Sequence, residues 1–314
     1  MLFLFVLLLS LTGMLKAQVT TAGMSGKVMA DEESVIGATV VAVHEPSGTS
    51  YGTVTNVDGR FSLQGMRSGG PYKVTVSYIG YQTAIYTDIQ LQLGETYSLN
   101  VTLHEASELL GEITITASKS KFSAEKTGAT TNISSEQLTT LPSINRSISD
   151  FTRISPYASG NSFGGRDGRS NTFTVDGANL NNNFGLSSGL PGGGNPISLD
   201  AIDEVQVVIA PYDVRQANFI GAGINAITKS GTNAYRGSAY MYFNNEVMRG
   251  NKIGDTDFGV RAEESKTVYG ATFGGPIIKD KLFFFANVEY EKSPQQVITW
   301  RAAKEGETPN NSTI

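Results

Sequence analysis

Between Ser25 and Leu103 the sequence is a succession of short β-rich runs, each closed by turn residues: ATVVAV, SYGTVT, GRFSL, YKVTVSY and YSLNVTL. Runs of that length and spacing fold as a small β-sandwich, because each can bury only one face and needs a second sheet to bury it against. The period is clearest in YKVTVSY, where Tyr72, Val74, Val76 and Tyr78 share one face and Lys73, Thr75 and Ser77 the other. TNVDGRF adds a hairpin signal, since Asp58 and Gly59 accept the positive φ of a tight turn. Asp58 has no companion carboxylates at ligand spacing and reads as a turn residue, not a calcium ligand.

Composition narrows the function classes. The 314 residues leave room for two or three domains, and a hydrophobic share of 39% is that of folded protein. With a net charge of -5 and scattered Lys and Arg, the chain lacks the basic footprint that phosphates need, so nucleic acid is not an expected partner. There is no cysteine, hence no disulfide framework and no thiolate zinc site. His44 and His104 are the only histidines, neither at ligand spacing with another donor, and no HExxH or GxSxG motif occurs. Gly164, Gly165 and Gly168 are not followed by the Gly-Lys-Ser or Gly-Lys-Thr of a phosphate loop. The expectation is a protein without catalytic residues, metal or cofactor.

Residues 1–17 hold an apolar run from Leu2 to Leu15 and a short polar stretch to Ala17, the form of a secretory signal peptide cut near Ala17 and Gln18. No later window is apolar enough for a spanning helix, so any membrane role would use strands.

The segment GEITITA, residues 111–117, reads as a strand placed between the finished sandwich pattern and the polar, aperiodic stretch SKSKFSAEKTGA. It either completes the sandwich or offers its backbone to another chain by strand addition. Further on, SINRSISDFTRI spaces Ile144, Ile148 and Phe151 as a short amphipathic helix, with Pro142 before it and Ser143 as cap. The strand TFTV and the alternating run AIDEVQVVIAPYD follow.

The last third alternates over longer runs. Tyr235, Gly237, Ala239, Met241 and Phe243 can face apolar surroundings while Arg236, Ser238, Tyr240 and Tyr242 face a polar interior. In DKLFFFANVEYEK, Leu282, Phe284, Ala286, Val288 and Tyr290 form one face and Phe283, Phe285, Asn287, Glu289 and Glu291 the other, joined to TVYGATFGG by the turn stretch GPIIK. Strands of about ten residues with one apolar face suit a transmembrane barrel wall, and equally a second soluble sheet.

Two resemblances bear on that choice. GKV, GATVVAV, GTVTNVDGRFSL, YKVTVSYIGYQT and a closing VTL resemble the carboxypeptidase-regulatory-like domain, a noncatalytic β-sandwich. From Thr131 onward the sequence resembles a TonB-dependent outer-membrane receptor of the Oar-like branch. GRDGRSNTFTVDG and DAIDEVQVVIAPYDVRQANFIGAGINAITKSGTN resemble its plug, and YRGSAYMYFNNEVMRG and GGPIIKDKLFFF its opening barrel strands.

The fold class implied is mainly β: a regulatory-like sandwich, an α+β plug and an incomplete transmembrane barrel. The expected layout is signal peptide 1–17, sandwich 24–104, TonB box 109–117, linker 118–130, plug 131–232 and first barrel strands 233–314. The closing KEGETPNNSTI lacks a terminal aromatic strand, so the chain reads as the N-terminal piece of a longer protein.

The resemblance implies energised import of a glycan, peptide or chelate across the outer membrane, with the N-terminal domain in the periplasm. The plug is the gate. Implied partners are the TonB C-terminal domain, bound at Glu112, Ile113, Thr114, Ile115 and Thr116, the outer membrane, an unidentified ligand and a surface lipoprotein. Arg166, Arg169 and Asp176 are candidates for holding the plug in the barrel, or for exposed loop charges. The rival reading is a noncatalytic secreted or surface β-sandwich that serves in adhesion or carbohydrate binding.

Overall fold

The computed structural model describes residues 19–30, 32–105, 113–116, 129–141, 143, 146–181, 197–211, 216, 219–257 and 264–294. The expected signal peptide and most of the expected linker lie outside them. The chain divides into two compact units: the residues up to Arg236 with Gly274–Phe285, and Gly237–Phe273 with the residues from Ala286 on.

The first unit opens with β1 (Ala22–Ala30), β2 (Glu33–Ser34), β3 (Thr39–His44), β4 (Thr49–Val54), β5 (Arg60–Met66), β6 (Gly69–Ser77), β7 (Ala84–Leu91), β8 (Thr96–Ser98) and β9 (Val101–Leu103). One sheet is ordered β2-β1-β5, with β8 and β9 parallel to β1. The other runs β7-β6-β3-β4 and gains a fifth member described below. Tyr72, Val74 and Val76 point into the core between the sheets with Met24, Phe61, Ile89 and Val101, so the alternation read from YKVTVSY is realised. Tyr78 lies past the end of β6 and is partly exposed.

TNVDGRF behaves differently from the sequence reading. β4 pairs with β3 and β5 with β1, so the turn carries the chain from one sheet to the other. Only Gly59 takes positive φ (+73°). Asn56 closes the corner, its Oδ1 accepting from the N–H groups of Asp58 and Arg60 at 3.0 and 2.8 Å.

After β10 (Ile113–Thr116) come β11 (Ala129–Ser134), α1 (Ser135–Thr140), α2 (Ile148–Thr152), β12 (Ala158–Ser159), β13 (Ser162–Phe163), β14 (Thr172–Val175), β15 (Ala178–Asn179), β16 (Ile202–Ala210) and β17 (Gly223–Thr228). Five of these strands make a mixed sheet, β11-β16-β17-β14-β15. Its core gathers Ile133, Leu138, Ile148, Phe151, Phe173 and Val205. The amphipathic helix is α2, with Ile148 and Phe151 buried, but its cap is Ser147 and not Ser143, and Ile144 lies outside the described residues. The run AIDEVQVVIA does not present a polar face. As β16 it sits between β11 and β17, and Val205, Gln206, Val207 and Val208 are all buried.

The remaining strands are β18 (Arg236–Asn245), β19 (Lys252–Ile253), β20 (Thr256–Asp257), β21 (Ser265–Ile278) and β22 (Leu282–Lys292), with β18-β21-β22 in one sheet. GPIIK is mostly strand: β21 continues through Ile278 and the turn falls at Lys279 to Lys281, where Asp280 has φ +61°. In the second unit the apolar residues Met241, Phe243, Val288 and Tyr290 are exposed. Tyr240 and Glu289 are half-buried on the opposite face, with the Tyr240 hydroxyl donating to Glu289 Oε2 at 2.7 Å. Ser238 and Thr272 hydroxyls meet at 2.6 Å, and Lys266 pairs with Glu291 at 3.0 Å. Exposed apolar side chains on one face, with Tyr240 and Glu289 half-buried on the other, reverse the rule for soluble sheets and match a wall facing lipid. Gly270 makes room for the Tyr240 ring, which would lie 2.1 Å from a Cβ there.

Candidate functional site

Four alternating β-branched residues, Ile-Thr-Ile-Thr, favour extended backbone, and β10 is a strand. It runs parallel to β7, with Ile113 opposite Ala84, Thr114 opposite Ile85, Ile115 opposite Tyr86 and Thr116 opposite Thr87. The full sheet order is β10-β7-β6-β3-β4, so β10 is its outermost member on that side. The segment therefore joins the sandwich, at the edge of its second sheet. Glu112 lies outside the described residues.

The other sequence-selected residues do not gather. Arg166 and Arg169 are exposed, and Arg169 forms its ion pair with neighbouring Asp167 at 2.9 Å. Hydrogen bonds from Arg169 hold the Asp167 carboxyl below its ordinary range. Asp176, at φ +47°, accepts from the backbone N–H and the hydroxyl of Thr228 at 2.9 and 2.7 Å, which ties β14 to β17. The half-buried Arg–carboxylate pair of this region is Arg146 with Asp200.

His44 is buried against Tyr72 with its Nδ1 2.7 Å from Ser47 Oγ. Burial, helped by Arg67, lowers its pKa to about 4, which keeps the ring neutral and structural. Among the described residues no group of three His, Cys, Asp or Glu could hold a metal. No helix among them is long and apolar enough to cross a membrane, which leaves strands untouched.

A junction that sequence reasoning missed lies at Leu93, just after β7. Its N–H is shared by both carboxyl oxygens of Glu204 at 3.0 and 3.1 Å. Its carbonyl accepts from Asn132 Nδ2 at 3.2 Å and from Gln206 Nε2. Two strands of the mixed sheet thus grip the N–H and the C=O of one sandwich residue. Burial drives the Glu204 pKa up to about 8, with Asp203 and Glu95 adding to the rise and the Leu93 N–H opposing it. The signal was present in the sequence as Glu204 and Gln206 inside a largely apolar strand. A cavity of about 230 Å³ lies in the same unit, lined by Arg67, Asp176, Asp203 and Thr228.

Comparison with known proteins places these features. Residues 23–104 match the carboxypeptidase regulatory-like domain, and residues 227–303 match an outer membrane beta barrel domain. The TonB-dependent transporter Oar of Myxococcus xanthus is 26% identical over 252 residues, covering 74% of this chain and 23% of the relative. The chain is similar to that transporter over most of its own length. It spans under a quarter of the length of that relative.

Among solved structures, the siderophore receptor PirA from Acinetobacter baumannii is similar at 22% identity and a TM-score of 0.40, over 54% of this chain and 25% of the receptor. A cohesin–X-dockerin complex from Acetivibrio cellulolyticus is similar at 20% identity and a TM-score of 0.22, over 26% and 56% of the two chains.

Proposed function

We propose that the chain carries the periplasmic module, the plug and the first wall strands of a TonB-dependent outer-membrane transporter, and that it is not an enzyme. β10 is the coupling strand that TonB captures. The observation that carries this reading is a four-residue strand at the outer edge of a sheet, lying in sequence between the sandwich and the mixed sheet. Backbone pairing suits energy coupling because a row of hydrogen bonds shares a pulling load, while side chains set partner choice. The match of residues 227–303 to an outer-membrane barrel domain and the relation to Oar support it. The mixed sheet with α1 and α2 acts as the gate. Ligand binds on its extracellular side, and glycans, peptides and chelates are the candidate classes. Arg166, Arg169 and Asp176 remain proposed contacts between plug and barrel.

Ile113→Pro tests the coupling strand, because proline removes a ladder donor from β10. Binding of the isolated TonB C-terminal domain to the whole protein is expected to vanish while the sandwich melts as before, since its core is assembled from Ala22 to Leu103. Undiminished binding refutes the assignment.

A second reading, a noncatalytic surface adhesin, draws on the pairing of β10 with β7, which lets the segment merely finish the sandwich. The two readings part on membrane fractionation. A transporter sediments with outer membranes and needs detergent; an adhesin is recovered soluble without it.

A further inference from the structure

β10 reaches the sheet through one ladder of four register pairs, all to β7. On its other side β7 is paired antiparallel to β6, which is paired to β3, so the sheet continues without β10. The N–H and C=O groups that β10 turns toward β7 are engaged there, and a backbone group in one ladder cannot serve a second strand on that side. In a strand of four residues each side presents the groups of about two. Capture on the outer side of β10 would leave the strand fixed to the sandwich, so that a pull on it is borne by the β7 ladder; only exchange frees the strand to move.

We infer that the regulatory-like sandwich stores the coupling strand: β7 and the TonB C-terminal domain compete for the same backbone, and TonB binds β10 by exchange, stripping it from Ala84–Thr87. This rests on the reading of β10 as the TonB box. The sandwich then acts as a lock on coupling. β10 is held at a defined place until something weakens its four-residue ladder, and its release opens the β7 edge. Placement at the edge makes the exchange feasible, since peeling an outer strand leaves the pairing of β6, β3 and β4 intact.

A reversible cross-link tests this. The protein has no cysteine, so a Thr87→Cys, Thr116→Cys pair introduces its only thiols. The two positions are register partners, and Thr87 lies outside the buried core. Neighbouring strands about 4.8 Å apart fall within the Cα range a disulfide spans. The whole protein, purified in detergent, is titrated with the TonB C-terminal domain before and after reduction. Oxidation is expected to weaken binding by at least about tenfold, because the binding-competent fraction is removed, and reduction to restore it.

Equal affinity in the two states overturns the inference, since TonB would then be adding to the outer side of β10 without displacing β7. Failure of the thiols to join under mild oxidant overturns it too, because the ladder would not persist. If neither state binds while Ile113→Pro also changes nothing, the TonB-box reading falls, an outcome distinct from the loss of the lock alone.

Discussion

Replacing Gly26 by alanine is expected to cost the sandwich about 3 kcal/mol or more, and replacing it by valine to prevent folding. A Cβ at Gly26 would stand 1.8 Å from the Leu99 carbonyl oxygen and 2.6 Å from its carbonyl carbon. The obstacle is backbone, and it cannot retreat. The Leu99 N–H donates to Ser25 O at 2.8 Å, its buried side chain belongs to the core, and Asn100 Oδ1 accepts from the Lys27 N–H at 3.1 Å. β1 is also the strand on which β2, β5, β8 and β9 all pair, so displacing it disturbs one whole sheet.

For a domain of this size a loss of that order lowers Tm by about 15 °C, measurable on residues 19–105 expressed alone. Gly52→Ala is the control: it is also in a strand, but the nearest atom to its Cβ is the Val40 carbonyl oxygen at 3.9 Å, so its Tm should stay within about 3 °C. Similar losses at both positions would show that strand glycines matter through chain entropy and that the crossing at Leu99 is not the cause.

How far the sequence led depended on whether a feature was local. Period two is local, and it placed Tyr72, Val74 and Val76 in the core and separated Val288 and Tyr290 from Glu289. Helical spacing of Ile148 and Phe151 did the same for α2. Its cap was misplaced because Ser143 and Ser147 are equally good acceptors, and only the path of the chain chooses between them. α1 escaped notice although Ser134 and Gln137 stand at capping-box spacing, the Ser134 N–H donating to Gln137 Oε1 at 3.1 Å.

Sheet membership is not local. Asp58-Gly59 reads as a hairpin because its turn chemistry is that of one, yet whether β4 and β5 stay in one sheet depends on which partners outcompete their mutual pairing. The candidate site was legible as a strand, since Ile113 to Thr116 alternate, but its parallel partner β7 is not adjacent in sequence. Parallel pairing carries no turn signature that would name the partner. The run at β16 misled for a related reason: a strand between two others in a covered sheet need not alternate.

The buried carboxyl of Glu204 makes the hold on Leu93 depend on pH. Its pKa rises from 4.5 to about 8, so below pH 4.5 it is neutral both folded and unfolded and costs nothing. Between pH 4.5 and 8 the unfolded chain releases a proton that the folded one keeps, and stability falls as pH rises. Above pH 8 the folded carboxyl ionises as well and the loss levels off. Asp203, raised by burial against the pull of Arg67 and Lys229, tilts in the same direction.

Glu204→Gln keeps an oxygen to accept from Leu93 and removes the titration. At pH 7 the variant is expected to be more stable than the parent by about 3 kcal/mol, and by about 5 kcal/mol above pH 8, with little difference at pH 4.5. Urea unfolding across that range, with hydrogen exchange at the Leu93 amide, measures both the slope and its location. Parallel stability curves for parent and variant would mean that Glu204 reaches solvent when charged, and that the grip on Leu93 does not depend on a neutral carboxyl. A slope that flattens in the variant, together with slower Leu93 exchange above pH 7, would tie the docking of the sandwich on β16 to that one proton.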